Sequence, residues 1–395
     1  MKHRILFVDD EELVLQGLQR MLRPLRHEWE MDFFDSGAKA LQAMAKLPYD
    51  ILVTDMRMPV MDGAQLLKKT MQLHPATIRV VLSGQADQKM ILQCVEATHQ
   101  YLSKPCDQEA LIATLRRAAQ LKESLHNETL RNLIARLQSL PSKPKLYLEI
   151  IHCLQQPNAT VEDVAGIVMR DPAMTAKILK LVNSAFFGLP LKIASINEAI
   201  SYLGLDTLRS LVLSISVFEQ FEGIDSRVLS VEALWTHSFE VANAAQIIAG
   251  LENSDKKTKD EAFIGGLLHD AGKLVLAANF SEEYERCVKA AAVAGSNQAD
   301  LEERTFGSAH SEIGGYLFGL WGLPIGVVEA VALHHSPSQS QVLGFTPLTA
   351  VHSADVLVHQ KHRDGHVVDF NLDKPYLEKL RLTERVAKWK EAISI

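Results

Sequence analysis

Up to about residue 120, short apolar runs alternate with stretches of helical period. The runs are Arg4–Val8, Met31–Phe34, Ile51–Thr54, Arg79–Leu82 and Gln100–Ser103. They are rich in Val, Ile, Leu and Phe, as strands buried on both faces are. The alternation predicts an α/β unit with five strands in a parallel sheet and helices on both faces. From Asp107 to Leu140 the pattern changes. Leu111, Leu115, Ala118, Leu125, Leu130, Ile134 and Leu137 form one apolar stripe on a charged helix. Two arrangements fit it: the last helix of the α/β unit followed by a separate helix, or one long helix able to pair with a second copy. Leu140-Pro141-Ser142-Lys143-Pro144 then breaks the helix. The rest reads as helical with no convincing strand. Asp171-Pro172 is a helix start, Gly204, Gly223 and Gly322-Leu323-Pro324 punctuate, and Trp389 is the expected anchor of a weakly amphipathic C-terminal stretch.

Composition narrows the class. The 395 residues are long for a single core. A hydrophobic content of 47% with 23% charged residues is that of an ordinary globular chain. No apolar run approaches the roughly 18 residues of a membrane span, and the N-terminus has no signal-peptide core. The net charge of −7 argues against direct nucleic-acid binding. Cys94, Cys106, Cys153 and Cys287 are scattered without a C-x-x-C spacing, which fits a reducing cytoplasm and no disulfide framework.

The first candidate chemistry lies at strand ends. Asp9 and Asp10 follow the first run, Asp55 ends the third, Ser83 the fourth, and Lys104 follows the fifth. Open α/β sheets place their chemistry outside the carboxyl ends of the strands. Asp55 is placed to act as a nucleophile toward phosphorus. Asp9, Asp10, Asp55 and the backbone carbonyl of Arg57 suit Mg²⁺, which takes few protein carboxylates and keeps waters. Lys104 supplies a point charge for a phosphoryl oxygen, and Ser83 a hydroxyl.

Asp9-Asp10, Asp55-Met56-Arg57-Met58-Pro59, Met61-Asp62-Gly63, Ser83-Gly84 and Lys104-Pro105 resemble the receiver domain of two-component response regulators. The resemblance implies a flavodoxin-like (βα)5 fold and phosphorylation of Asp55 by a histidine kinase or phosphotransfer protein. It also implies a switch formed by Ser83 and Tyr101.

The second candidate chemistry is a set of histidines and carboxylates on helical segments: His237, His269-Asp270, His310, His334-His335 and Asp355. Imidazole with carboxylate suits Fe, Mn or Zn ions that activate water for phosphoester hydrolysis. Lys273 is placed to neutralise a phosphate. The pattern resembles the HD phosphohydrolase superfamily, which implies His237, His269, Asp270 and Asp355 as ligands, with His310 and His334 for a second ion. The alternative is a set of histidines bonded inside a helical core. Asp171–Ala185, Ile196-Asn197-Glu198-Ala199-Ile200 and Leu203-Gly204 resemble the more specific HDOD domain, an HD-related output module of bacterial signalling. The Gly-Tyr-Pro of cyclic di-GMP phosphodiesterases is missing after His334-His335, which makes that substrate less fitting. Asn183–Pro190, with Phe186 and Phe187, is a candidate partner surface or plain core.

The expected layout is a receiver at 1–121, a helical linker at 122–140, an HDOD domain at 141–340 and its helical extension at 341–395. The expected protein is a cytoplasmic, dimeric response regulator. Its all-helical output acts on a downstream signalling protein or, alternatively, hydrolyses a phosphoester.

Overall fold

The five apolar runs pair as one sheet in the computed structural model, which describes residues 2–74, 77–83, 98, 100–104, 108–124, 130, 133–134, 144–154, 156, 158–183, 193–294, 297–361 and 371–393. Residues 1–136 contribute one compact unit, and residues 137–317 with 324–395 a second.

The first unit runs β1 (His3–Val8), α1 (Glu12–Leu22), β2 (Trp29–Phe34), α2 (Gly37–Lys46), β3 (Ile51–Asp55), α3 (Gly63–Leu73), β4 (Ile78–Ser83), β5 (Gln100–Ser103) and α4 (Gln108–Ser124). The sheet order is β2-β1-β3-β4-β5 and every pairing is parallel. The first crossover therefore runs outward and the later ones return past β1, which leaves a crevice at the carboxyl ends of β1 and β3. Every residue of β3 is buried, as its unbroken apolar run requires, whereas β2 at the edge is mostly half-buried. Leu15, Leu18 and Leu22 of α1 and Leu66 and Leu67 of α3 are buried against the sheet faces, as are Leu111, Leu115 and Ala118 of α4. The last three begin the stripe predicted for Asp107–Leu140. Residues 125–129 and 135–143 lie outside the described residues, and with them the choice between one helix and two. Phe186, Phe187 and the rest of 184–192 lie outside them as well.

The second unit is helical throughout its described residues. In order come α5 (Lys145–Leu154), α6 (Val161–Met169), α7 (Pro172–Val182), α8 (Ile196–Leu203), α9 (Leu205–Glu219), α10 (Val231–Leu251), α11 (Lys256–Leu268), α12 (Ala271–Asn279), α13 (Ser281–Ala294), α14 (Gln298–Phe306), α15 (His310–Leu320), α16 (Ile325–Leu333), α17 (Pro347–Lys361), α18 (Lys374–Lys379) and α19 (Val386–Ile393). Asp171 accepts from the Met174 amide ahead of Pro172, so the Asp-Pro start read from the sequence forms as expected. The core of the unit joins α10, α11, α16 and α17 through Val241, Ala245, Ile248, Ala262, Ala330, Leu348, Val351 and Leu357. The many alanines let these helices approach closely.

Residues Pro347 to Val358 of α17 are all buried, so this helix packs into the centre of the bundle. Trp389 is fully buried behind it. Its Nε1 donates to Glu252 Oε1 at 2.8 Å, which also accepts from Arg385 Nε at 2.8 Å. No single helix among the described residues is long and apolar enough to cross a membrane.

Candidate functional site

Asp9, Asp55 and Lys104 meet at the carboxyl edge of the parallel sheet. Lys104 Nζ donates to Asp9 Oδ2 at 2.7 Å and to Asp55 Oδ1. The other oxygen of each carboxylate is held by backbone. Asp9 Oδ1 accepts from the Glu11 amide at 3.0 Å, and Asp55 Oδ2 from the Arg57 amide at 2.6 Å. Both carboxylates are buried, while Asp10 stands exposed at the same strand end. Burial pulls the Lys104 ammonium down, but bonding to Asp55 and Asp9 outweighs it and holds the ammonium above its ordinary range.

The chain after Asp55 folds back on itself. The Gly63 amide donates to Met56 O at 2.9 Å, and a Cβ on Gly63 would fall 2.1 Å from Asp55 O. Glycine is required there by the close backbone approach. Ser83 and Tyr101 are placed by register, Ser83 beside Ser103 and Tyr101 beside Val81. Their side chains lie outside the described part of the structure.

In the helical unit every predicted ligand converges. His237 comes from α10, His269 and Asp270 from the break between α11 and α12, and His310 from the start of α15. His334 follows α16, and Asp355 lies on α17. Two close approaches set this geometry. A Cβ on Gly266 would fall 2.5 Å from Ala242 Cα, so α11 crosses α10 one turn before His269. A Cβ on Gly272 would fall 2.0 Å from His310 O, so the start of α12 abuts the start of α15. The break at Asp270, with φ −99° and ψ 2°, then turns its carboxylate inward.

Two adjacent sets result, in each of which the donor atoms lie within 4.8 Å of one another: His237, His269 and Asp355, and Asp270, His310, His334 and His335. In the first, Asp355 Oδ1 is 3.0 Å from His237 Nε2 and 3.5 Å from His269 Nε2. In the second, Asp270 Oδ1 is 3.0 Å from His310 Nε2 and 3.9 Å from His334 Nε2. Asp270 joins the two, since its Oδ2 lies 3.5 Å from His269 Nε2 and 2.7 Å from Lys273 Nζ. Lys273 thus neutralises a carboxylate of the cluster.

The hydrogen bonds fix which ring nitrogens can act as ligands. His269 Nδ1 lies 2.8 Å from Gly266 O, and His334 Nδ1 lies 2.8 Å from Val331 O. A carbonyl only accepts, so both Nδ1 atoms carry protons and both Nε2 atoms face the cluster. His269 Nε2, His334 Nε2 and Asp270 Oδ1 are buried without a well-formed hydrogen bond. His310 Nε2 lies near Asp270 Oδ1 but off the line of one. Each orphan of this kind costs about 1–3 kcal/mol unless something else satisfies it, as cations seated in the two sets would.

Electrostatics set the protonation of these donors. Burial and the neighbouring His269 push His334 well below the ordinary histidine range, so it is a neutral donor. Burial would raise Asp270 and Asp355, but the surrounding cations outweigh it and both stay well below the usual carboxylate range. Burial pulls His310 down, yet the carboxylates of Glu302 and Asp270 outweigh it and push it up to about 9. Neutral His334 and the two ionised carboxylates are ready donors for a divalent transition metal, whereas His310 and His269, both held above the ordinary histidine range against burial by neighbouring carboxylates, would each release a proton to bind one.

Sequence reasoning missed Glu302 and His359. Glu302 is fully buried with its Oε2 2.5 Å from His310 Nδ1, and His359 Nδ1 lies 3.0 Å from Asp355 Oδ1. His359 is one helical turn after Asp355 on α17, a spacing that was visible. Glu302 sits in Leu301-Glu302-Glu303-Arg304, which reads as an ordinary solvated helix face.

Comparison with known proteins agrees with this division. A family described as HDOD domain matches residues 140–337, and one described as response regulator receiver domain matches residues 5–116. An uncharacterized protein of Treponema pallidum (strain Nichols) is 27% identical over 201 residues, 51% of this chain and 38% of that protein. The DNA-binding transcriptional regulator NtrC of Escherichia coli (strain K12) is 35% identical over 112 residues, 28% of this chain and 24% of that protein. The chain thus spans well under half the length of these relatives. A crystal structure of an HDOD domain protein of unknown function from Geobacter sulfurreducens superposes with a TM-score of 0.53 at 24% identity. That likeness covers 68% of this chain and 96% of the other, and it is a likeness of fold.

Proposed function

The chain belongs to the HDOD family and carries a response-regulator receiver domain at its N-terminus, and from that premise we propose that phosphorylation of Asp55 by a histidine kinase controls the output of the helical unit. This architecture is typical of two-component signalling. In this reading a flavodoxin-like receiver spans 1–121, a helical linker 122–140 and the HDOD output the residues beyond, and the protein acts as a cytoplasmic homodimer. The observation that carries the reading is Lys104 held between Asp9 and Asp55 at the sheet's carboxyl edge.

An Asp55 oxygen attacks the phosphorus of the donor. A P–O bond forms, the P–N bond to the kinase histidine breaks, and that histidine keeps the electron pair. Lys104 is within reach of the new phosphoryl oxygens. Asp9, Asp10, Asp55 and the Arg57 carbonyl would hold Mg²⁺, which supplies neutralising charge when bound. The acyl phosphate carries about two negative charges where the carboxylate carried one, and it brings new acceptor oxygens to which Ser83 and Tyr101 respond. The output is contact with a downstream signalling protein. Asp55→Asn is expected to abolish labelling by a small phosphodonor, and persistent labelling would refute the assignment.

A second reading of the output is favoured by the orphaned Nε2 atoms of His269 and His334 and the orphaned Oδ1 of Asp270. It is a phosphorylation-gated, metal-dependent phosphohydrolase. His237, His269, Asp270 and Asp355 would hold one Fe, Mn or Zn ion, and His310 and His334 with Asp270 a second. Such ions supply Lewis acidity toward a phosphoester. Elemental analysis of the purified chain tests it. A stoichiometric transition metal, lost in His269→Ala, is expected, and a folded, metal-free chain that takes up none would sink the reading.

A further inference from the structure

We propose that Glu302 is the positioning residue of the second ion seat, holding His310 so that its Nε2 is the ligand nitrogen. The inference rests on the metal reading above and concerns a residue outside the predicted ligand set. Glu302 lies on α14 and is fully buried. Its Oε2 accepts from the His310 amide at 2.8 Å and lies 2.5 Å from His310 Nδ1. Its Oε1 accepts from Gln298 Nε2 at 3.0 Å, and that amide also donates to Tyr284 Oη at 2.9 Å. Both oxygens are engaged, so the carboxylate has no freedom to turn away. As an acceptor it fixes the proton on Nδ1 and aims Nε2 into the cluster.

What Nε2 meets there is informative. It lies 3.0 Å from Asp270 Oδ1 and 3.1 Å from His335 Nε2, while the His334 Nε2 across the cluster has no hydrogen bond. Two ring nitrogens at that separation must share either a proton or a cation. A divalent cation displacing that proton would also engage the carboxylate and the neutral imidazole that face the same point. A carboxylate that fixes a ligand histidine through its far nitrogen also raises that ligand's basicity, and losing it typically weakens metal binding roughly 10- to 100-fold.

The competing role for Glu302 is simply to cap α15 through the His310 amide. A cap affects stability and leaves ion stoichiometry and ring tautomer unchanged. The test therefore uses the full chain, stripped of metal and titrated with Mn²⁺ and separately with Zn²⁺. The wild-type chain is expected to bind two ions, and Glu302→Gln to keep one while the second weakens by roughly 10- to 100-fold. Two ions at unchanged affinity in the variant would overturn the inference. If Glu302→Gln fails to fold, ¹⁵N-histidine NMR of the loaded wild-type chain decides. His310 protonated at Nδ1 supports the role, and His310 protonated at Nε2 overturns it. A wild-type chain that binds one ion removes the second seat, and one that binds none overturns the metal reading itself.

Discussion

Gly272 is where fold and site depend on the same ångström. A Cβ added there would fall 2.0 Å from His310 O and 2.8 Å from its carbonyl carbon. The closest comfortable C···O approach is about 3.3 Å, so Gly272→Ala must open the contact by about 1.3 Å. The obstacle is backbone, which cannot swing aside as a side chain would. Overpacking of this kind costs about 1–3 kcal/mol, a fall in Tm of roughly 2–12 °C for a unit of this size. The effect on the site is sharper. Metal coordination tolerates about 0.2 Å, and Asp270, whose carboxylate faces His310, is the residue that caps the start of α12. The variant is therefore expected to lose the second ion even at temperatures where it remains folded. Circular dichroism melting and metal content on the same samples provide the assay. Gly166→Ala is the control. No atom lies near its added Cβ, it sits within α6, and it should stabilise by about 0.5–1 kcal/mol with metal content unchanged. A Gly272→Ala chain with wild-type Tm and metal content would refute the packing argument.

Two further outcomes concern the receiver. Lys104→Ala leaves the buried carboxylates of Asp9 and Asp55 facing each other without a cation, and in Mg²⁺-free buffer it should lower stability by about 1.5–3 kcal/mol in urea unfolding. An unchanged midpoint would show that Lys104 does not hold the pair. Burial, followed by the bond to Asp32, pushes the Tyr49 phenol up to about 12, so the folded state favours its neutral form. That stabilisation is complete below about pH 10 and is lost as pH rises from 10 to 12, a difference of roughly 2–3 kcal/mol. Stability of Tyr49→Phe should fall less steeply over that window, and parallel profiles would contradict the assignment.

The sheet was legible because a buried parallel strand must be apolar along its whole length. β5 was read to the residue, and β3 extended only by Asp55, which pairs in register beside Leu82. The receiver triad followed from strand ends alone. In the helical unit the residue types were legible and the HD resemblance implied that they meet, but helical period alone did not show how. His237 and Asp355 are far apart in the chain, and helical period says nothing about which faces meet. What brings them together is small: the bare Cα atoms of Gly266 and Gly272, each touching a neighbouring backbone. Glu302 was invisible for a related reason. Its burial is decided by packing against α13 and α15, and its own neighbours in sequence are charged. α17 carries histidines and an aspartate that soften an apolar pattern, yet it is buried from Pro347 to Val358.

The central claim is that the state of Asp55 reaches the helical unit. Hydrogen–deuterium exchange of the full chain, with and without a small phosphodonor and Mg²⁺, measures it directly. Phosphorylation is expected to change protection in peptides from residues 145–361 of the wild-type chain and to leave Asp55→Asn unchanged. Changes confined to residues 1–121, with the helical unit identical in both states, would contradict it.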